Sequence, residues 1–187
     1  MQIDVENAKR FDITYADEKG EKQYPYILHT SISGSIDRNV YALLEREAIK
    51  MTQGKKPMLP LWLSPTQVRF IPVADEFKVD CERFIEEFSK MSPCYFIRAD
   101  IDDREESVSR KIRDAEKEWV PYIVVVGEKE RAEKMVVPRV RSPELGKENT
   151  GYNMQQLYDL IIGQTKEFPQ QKLPIALYVS KRPKFKG

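Results

Sequence analysis

Residues that could bind a ligand are concentrated in one short stretch, between His29 and Arg38. His29 is the only histidine of the chain and closes an apolar run that begins at Tyr24. Gly34 and Ser35 follow, and Arg38 then falls in the first turn of a predicted helix. A glycine lets a flat or charged ligand approach the backbone because it has no Cβ, and an arginine fork suits a phosphate or a carboxylate. The stretch is therefore typical of half of a nucleotide site, although ordinary strand-to-helix packing produces the same pattern.

Composition limits the kinds of protein that this chain can be. Its 187 residues have room for one good-sized domain, or for one domain and a piece of another. The apolar share of 41% and the charged share of 33% fit a globular protein in water. The chain has no run of 18 apolar residues, and its N-terminus lacks the pattern of a secretory signal, so we predict a cytoplasmic protein without a membrane partner. Because the net charge is only +1, any RNA binding must come from a local patch.

The two cysteines give no sign of a metal site. Cys81 and Cys94 both fall in apolar patterns, and their separation is not that of metal ligands. We therefore predict two free, buried thiols in a reducing compartment.

The first part of the chain is typical of the end of a larger domain. Short strand-like pieces at 2–5, 12–15 and 24–33 are joined by a charged turn at 17–22. A stable sheet needs more partners than these pieces provide. A helix follows from Ile36 and ends before the glycine and proline of a linker. We therefore predict a domain remnant over 1–52 and a linker over 53–66.

The second part, 67–187, alternates between strands and helices. Apolar strands are predicted at 68–73, 94–99, 120–126, 135–140 and 174–179. Helical apolar spacing is present over 77–88, 108–119 and 154–161. Such alternation predicts an α/β domain with a mixed, mostly parallel sheet flanked by helices.

Short motifs along the whole chain carry a family resemblance. In the first part they are Gln2-Ile3-Asp4, Tyr26-Ile27-Leu28-His29 and Gly34-Ser35-Ile36-Asp37-Arg38. In the second part they are 62–68, Lys111-Ile112-Arg113, Val120-Pro121-Tyr122, Val125-Val126-Gly127 and 177–183. The first group resembles the end of the class II catalytic domain of threonyl-tRNA synthetases, with its third signature motif. The second group resembles the family's anticodon-binding domain, and the last motif looks like the archaeal branch.

The resemblance implies a fold and a set of ligands for the parent enzyme. A class IIa anticodon-binding domain would follow a remnant of the antiparallel catalytic domain. His29 matches a zinc ligand, and the family's zinc holds the amino and hydroxyl groups of threonine, which rejects valine. Arg38 matches the arginine that contacts ATP, and Gln2 matches a glutamine of the threonine pocket. The full-length enzyme would use Zn²⁺ and ATP with Mg²⁺, bind L-threonine and tRNA(Thr), and form a homodimer.

The resemblance also implies contacts with the anticodon. Arg139 matches an arginine that reads a base, and Glu130 matches an acidic base contact. Glu105 stands where bacterial relatives place an asparagine. Trp119 stands where they place an arginine, so it can either stack on a base or pack against the sheet. Four basic residues are candidates for phosphate contacts, namely Lys111, Arg113, Arg139 and Arg141.

Features that the chain lacks limit what it could do alone. It has no second histidine and no cysteine before His29, and the first two class II motifs are missing. We therefore predict that this polypeptide alone binds no catalytic zinc and forms no adenylate. The leading interpretation is a part of a threonine–tRNA ligase that supplies anticodon binding. The alternatives are a stand-alone RNA-binding or regulatory module without catalysis and an enzyme with an unrelated small-molecule site. Against the last stands the absence of a Gly-rich phosphate loop or a Ser-His-Asp set.

Overall fold

The computed structural model describes residues 1–147 and 149–183. The chain forms two compact units, Met1–Arg46 and Glu47–Gly187. The predicted domain bounds, with a linker over 53–66, stay a prediction, and the last four residues of the predicted second domain lie outside the described residues. Within the described ranges, none of the helices has both the length and the apolar character that a membrane crossing needs.

Short antiparallel strand pairs make up the first unit. They are β1 (Gln2–Asp4) with β4 (Ile27–His29), and β2 (Tyr15–Ala16) with β3 (Lys22–Gln23), with the short helix α1 (Asn7–Arg10) after β1 and the long helix α2 (Ile36–Thr52) after β4. The predicted charged turn at 17–22 is confirmed for 17–21, where the Asp17 carboxylate accepts the N–H groups of Lys19 and Glu21, whereas Lys22 already belongs to β3. The paired strands are shorter than the predicted ones.

A four-stranded mixed sheet is the centre of the second unit. Its strands are β5 (Val68–Pro72), β6 (Ala99–Ile101), β7 (Tyr122–Val126) and β8 (Arg139–Val140), in the order β6-β5-β7-β8. The first three in this order are parallel, and β8 is antiparallel to β7. The predicted fold class, a mixed and mostly parallel sheet flanked by helices, is therefore confirmed.

Helices cover both faces of this sheet. They are α3 (Lys78–Met91), α4 (Val108–Lys117), α5 (Glu128–Glu133) and α6 (Met154–Thr165). Phe70 and Val124 pack on one face with apolar residues of α3 and α6. Their neighbours in sequence, Ile71 and Ile123, pack on the other face with α4. Strand residues alternate between faces, so a continuous apolar run such as β7 is buried on both sides.

Three predicted strands are shifted, shortened or absent. The strand predicted at 94–99 begins only at Ala99, because the Arg98 N–H donates to the Gln67 side chain instead of a strand partner. The strand predicted at 174–179 is reduced to one parallel bridge between Ile101 and Tyr178. After this bridge the backbone turns into a 3₁₀ helix over Val179–Lys181. The strand predicted at 135–140 shrinks to β8, because a proline at 138 has no N–H for the ladder.

The prediction of two buried thiols is wrong for one of them. Cys81 is buried in the α3 core, where loss of water around the thiolate raises its pKa to about 12. Cys94 is exposed in the irregular segment before β6, where the backbone N–H donates to the Ser92 hydroxyl. The apolar run around Cys94 was typical of a strand, and the loss of that strand explains the error.

Candidate nucleic-acid interface

The first unit brings Gln2 and His29 together. They are direct partners in the antiparallel register of β1 and β4. Side chains that face each other in such a pair lie on the same side of the ribbon, with Cβ atoms about 4.5–5.5 Å apart. Both residues are exposed. A glutamine and a histidine 27 positions apart in sequence can therefore contact the same ligand.

The start of α2 places the Arg38 side chain over Gly34. Gly34 adopts φ +84°, a left-handed conformation that favours glycine. A Cβ on Gly34 would lie 3.4 Å from Arg38 Cδ and 3.5 Å from its Nη1. The Ser35 hydroxyl accepts the backbone N–H of Arg38 at 3.4 Å, which helps to begin the helix. The fork of an exposed arginine thus lies beside a strand-to-helix turn.

The donor set of this chain does not by itself make a zinc site. No three histidine, cysteine, aspartate or glutamate side chains converge on one point anywhere in residues 1–147 and 149–183. His29 supplies one ligand, whereas a tetrahedral zinc site with an open position for substrate takes three from the protein.

In the second unit, Arg139 is one of the two predicted anticodon contacts that are exposed. It lies on β8, the edge strand, directly opposite Ile123 of β7. Arg139 lines an open groove of about 230 Å³ together with Lys56, Glu116 and Asn149, here called the Arg139 groove. Arg139 is exposed, and its guanidinium has no hydrogen-bond or ion-pair partner among the described residues. Its donors therefore remain available to a ligand.

Glu105 and Glu130 lie beyond the carboxyl ends of the parallel strands, away from Arg139. They follow the carboxyl ends of β6 and β7, which are parallel to β5 and end on the same side. Glu105 is exposed, but one oxygen of Glu130 already accepts the backbone N–H of Gly127 at 3.0 Å. Arg139 pairs with Ile123, near the amino end of β7, which is the opposite end of the strand. The four predicted anticodon contacts are thus not gathered into one pocket.

Trp119 is not on a helix, contrary to its predicted spacing. Helix α4 ends at Lys117, and Trp119 adopts φ +59°, a left-handed conformation that is unusual for a large residue. The N–H groups of Trp119 and Val120 donate to the Glu116 and Ala115 carbonyls, which closes the helix end. Glycine is the usual residue at this left-handed position after a helix. Because a tryptophan there continues the apolar spacing of the helix, that spacing could not reveal where the helix ends. Trp119 is half-buried and lines a separate cleft of about 280 Å³ with Pro65 and Ile175.

Two of the four candidate phosphate contacts are not free. Lys111 is buried on α4. Arg141 donates from Nε to the Pro57 carbonyl and from Nη1 to the Glu116 carbonyl, both at 2.6 Å. Among the four candidates, only Arg113 and Arg139 are exposed.

A buried ionic cluster lies beneath the sheet edge and was not predicted. The fully buried Arg69 donates from Nε and Nη2 to the two oxygens of Asp100, each at 2.9 Å. Asp100 also accepts Thr66 Oγ1 at 2.9 Å and Arg182 Nη2 at 2.7 Å. Burial disfavours the charged guanidinium, but its bonds to Asp100 and Glu118 outweigh burial, so the pKa of Arg69 is raised. The cluster ties the end of the described chain to β5 and β6.

Comparison with known proteins places this fold in a family. The sequence profile of the family described as anticodon binding domain matches residues 67–162, just over half of the chain. The threonine–tRNA ligase of Pyrococcus furiosus is 51% identical over 187 residues, which is 100% of this chain and 29% of that protein. The ligase of Pyrococcus horikoshii is 50% identical with the same coverage. This chain thus spans less than a third of the length of these relatives.

A solved structure supports the same assignment. The RNA binding domain of threonyl-tRNA synthetase from Cryptosporidium parvum Iowa II has a TM-score of 0.61 and 25% identity, over 90% of this chain and 38% of that one. The predicted resemblance to archaeal threonyl-tRNA synthetases is therefore confirmed by sequence and by fold. The chain belongs to the anticodon binding domain family.

Proposed function

We propose that residues 47–187 bind the anticodon loop of tRNA(Thr) and that the chain works as part of a longer threonine–tRNA ligase. The observation that carries this proposal is Arg139, an exposed arginine without a partner in the described structure. It lines an open groove in a unit whose relatives are threonine–tRNA ligases. Bases in an RNA loop are splayed outward, so their edges are open to such a side chain.

The groove suits the edge of a base. A guanidinium fork can donate two parallel hydrogen bonds to the acceptors of a guanine. Lys56 adds a second cation to the groove, and Asn149 adds an amide that can donate or accept. Glu130 and Glu105 would contact neighbouring bases from beyond the carboxyl ends of the parallel strands, and Trp119 would offer a ring for stacking.

The first unit would form part of the aminoacylation site of the longer protein. The unit leaves large apolar side chains exposed, among them Ile3, Tyr26, Leu28 and Ile36. Residues of this kind are normally covered, so the unit fits the role of a catalytic-domain remnant over 1–52. Gln2 would line the threonine pocket, and Arg38 would contact ATP and stabilise charge as the threonyl-adenylate forms. The longer enzyme would be a cytoplasmic homodimer that uses Mg²⁺ with ATP.

His29 would contribute one ligand to a zinc ion completed by residues outside this chain. Such a zinc would act as a Lewis acid that selects substrates with a hydroxyl group. Within this chain the task of His29 is to hold an imidazole nitrogen beside Gln2, on the same side of the β1–β4 ribbon.

The zinc prediction has a direct test. The isolated chain, equilibrated with zinc and dialysed, is expected to retain much less than one zinc per chain, because one imidazole binds the ion too weakly. Metal content by mass spectrometry checks this, with His29→Ala as the control. One zinc per chain that survives dialysis and is lost in the control would contradict the prediction.

Titration with RNA tests the proposed function. The chain is expected to bind the anticodon stem-loop of tRNA(Thr) more tightly than a stem-loop with altered second and third anticodon bases. Each base that is read should contribute about 1–3 kcal/mol of discrimination, which is roughly a 5- to 150-fold difference in Kd. Fluorescence anisotropy at fixed salt measures both affinities. Equal, salt-sensitive binding to both loops would refute base reading and leave a non-specific basic surface.

A further inference from the structure

A second, larger cleft adjoins the Arg139 groove and has a basic lining. It has a volume of about 500 Å³, and its charged lining residues are Lys50, Lys55, Lys56, Arg141 and Glu144. We call it the lysine cleft. Four of these five residues are cations, although the chain as a whole has a net charge of only +1. Lys56 lines both the lysine cleft and the Arg139 groove, so the two share a wall at this residue.

The end of helix α2 fixes the direction of the lysines. The Lys55 N–H donates to the Lys50 carbonyl and the Gly54 N–H donates to the Met51 carbonyl, each at 3.0 Å. This pair of bonds is the Schellman motif, and Gly54 supplies the left-handed residue that it requires, with φ +73°. Lys55 and Lys56 are therefore presented by a defined turn, although their sequence neighbourhood is typical of a flexible linker.

Buried contacts hold the walls of the cleft in place. The buried Glu47 accepts the Met58 N–H at 2.9 Å and Lys50 Nζ at 2.8 Å. From the other wall, Arg141 donates to the Pro57 carbonyl at 2.6 Å. Residues on both sides of Lys55 and Lys56 are thus fixed to the second unit.

Within the described part of the chain, the charges of Lys55 and Lys56 are not used for internal contacts. Glu47 pairs with Lys50, and Arg141 is bonded to backbone carbonyls, so these two cations serve the fold. Lys55 and Lys56 are exposed, and across residues 1–147 and 149–183 neither forms an ion pair or a side-chain hydrogen bond. Two free ammonium groups in one open cleft would attract a multiply charged anion.

We propose that the lysine cleft binds the phosphate backbone of the RNA whose base Arg139 reads. The inference rests on the proposed function and deepens it. The lysines of the cleft would position the RNA backbone, whereas Arg139 would read the base. A lysine ammonium is a compact point charge that suits a phosphate without selecting a base. The shared wall at Lys56 lets one strand run from the base in the Arg139 groove to phosphates in the cleft. Phosphate contacts set the register of the RNA, and the base contact then carries the sequence information.

The double variant Lys55→Gln/Lys56→Gln tests this proposal. The charge-matched control is Lys90→Gln/Lys166→Gln, which removes two exposed lysines at the ends of α3 and α6 that do not line the cleft. Binding of the anticodon stem-loop and of the altered stem-loop is measured between about 50 and 200 mM salt. Each lost phosphate contact should reduce the slope of log K against log salt by about 0.7 for single-stranded RNA. The slope for the double variant should therefore be smaller in magnitude by about 1.4 than the wild-type slope. Between about 50 and 200 mM salt, the affinity of the double variant should then fall by a factor roughly sevenfold smaller than that of the wild type. The preference for the cognate loop should not change.

The outcomes separate this inference from the proposed function. If the wild type prefers the cognate loop and the double variant keeps the wild-type slope, the lysine cleft does not bind the RNA backbone. If the wild type shows no preference but the slope falls only in the double variant, the phosphate site stands and base reading fails. An equal fall in the control would also refute the proposal, because it would show a non-specific effect of net charge.

Discussion

Asp100→Asn is expected to lower the free energy of unfolding of the second unit by about 3–5 kcal/mol. Asp100 and Arg69 are both fully buried, and among the described residues only Asp100 accepts the Nε donor of Arg69. The neutral asparagine cannot balance the guanidinium charge, and it replaces a carboxylate oxygen with an amide donor. Arg182 loses its ion-pair partner as well. The cost is large because the buried guanidinium of Arg69 loses its fully buried acidic partner and keeps only Glu118, which is half-exposed.

Tryptophan fluorescence during denaturation by urea can measure this loss. Both tryptophans of the chain, Trp62 and Trp119, belong to the second unit, so the signal reports that unit alone. The matched control is Asp159→Asn, at an exposed carboxylate on α6 that accepts the Gln155 side chain and has no other side-chain partner among the described residues. The control should stay within about 0.5 kcal/mol of the wild type.

A double replacement separates loss of charge balance from simple loss of packing. Arg69→Met/Asp100→Leu removes both charges and keeps apolar volume, so it should recover most of the stability that Asp100→Asn loses. If Asp100→Asn behaves like the exposed control, the buried ion pair is not a main source of stability. If the double variant is less stable than Asp100→Asn, packing of the polar groups matters more than their charges.

Arg139→Ala is expected to reduce the preference for the cognate anticodon loop by about 1–3 kcal/mol, up to roughly 150-fold in the ratio of the two Kd values. Arg139 is exposed on the edge strand β8, so the substitution should leave the core and the thermal midpoint nearly unchanged. The guanidinium has no partner within the described structure, and its removal therefore affects only the ligand.

Two further variants show whether Arg139 reads a base. Arg113→Ala removes another exposed arginine, on α4, and should weaken both loops equally if it affects binding at all. Arg139→Lys keeps the charge but loses the fork, so the salt dependence should persist while the preference falls. An unchanged ratio of Kd values in Arg139→Ala, with weaker binding to both loops, would make Arg139 a phosphate contact.

The predictable part of the fold is the part with a strong local signal. The apolar runs of β5 and β7 and the helical period of α3 and α6 gave these elements nearly in their observed positions. Where the backbone bonds to a distant side chain, as Arg98 does with Gln67, the local pattern predicted a strand that does not form. Trp119 shows the same limit, because a left-handed tryptophan is too rare for spacing to predict.

The sequence alone determined the fold class and the family, because both depend on short motifs and on the period of apolar residues along the chain. The sequence also placed Arg139 and His29 among the residues to test. Only the tertiary structure decided which charges are available. It buries Lys111, bonds Arg141 to the backbone and joins Arg69 to Asp100, 31 positions away. It also turns Lys55 and Lys56 from an apparent linker into a wall of a cleft. Burial and pairing arise from residues that are distant in sequence, so no local pattern can reveal them.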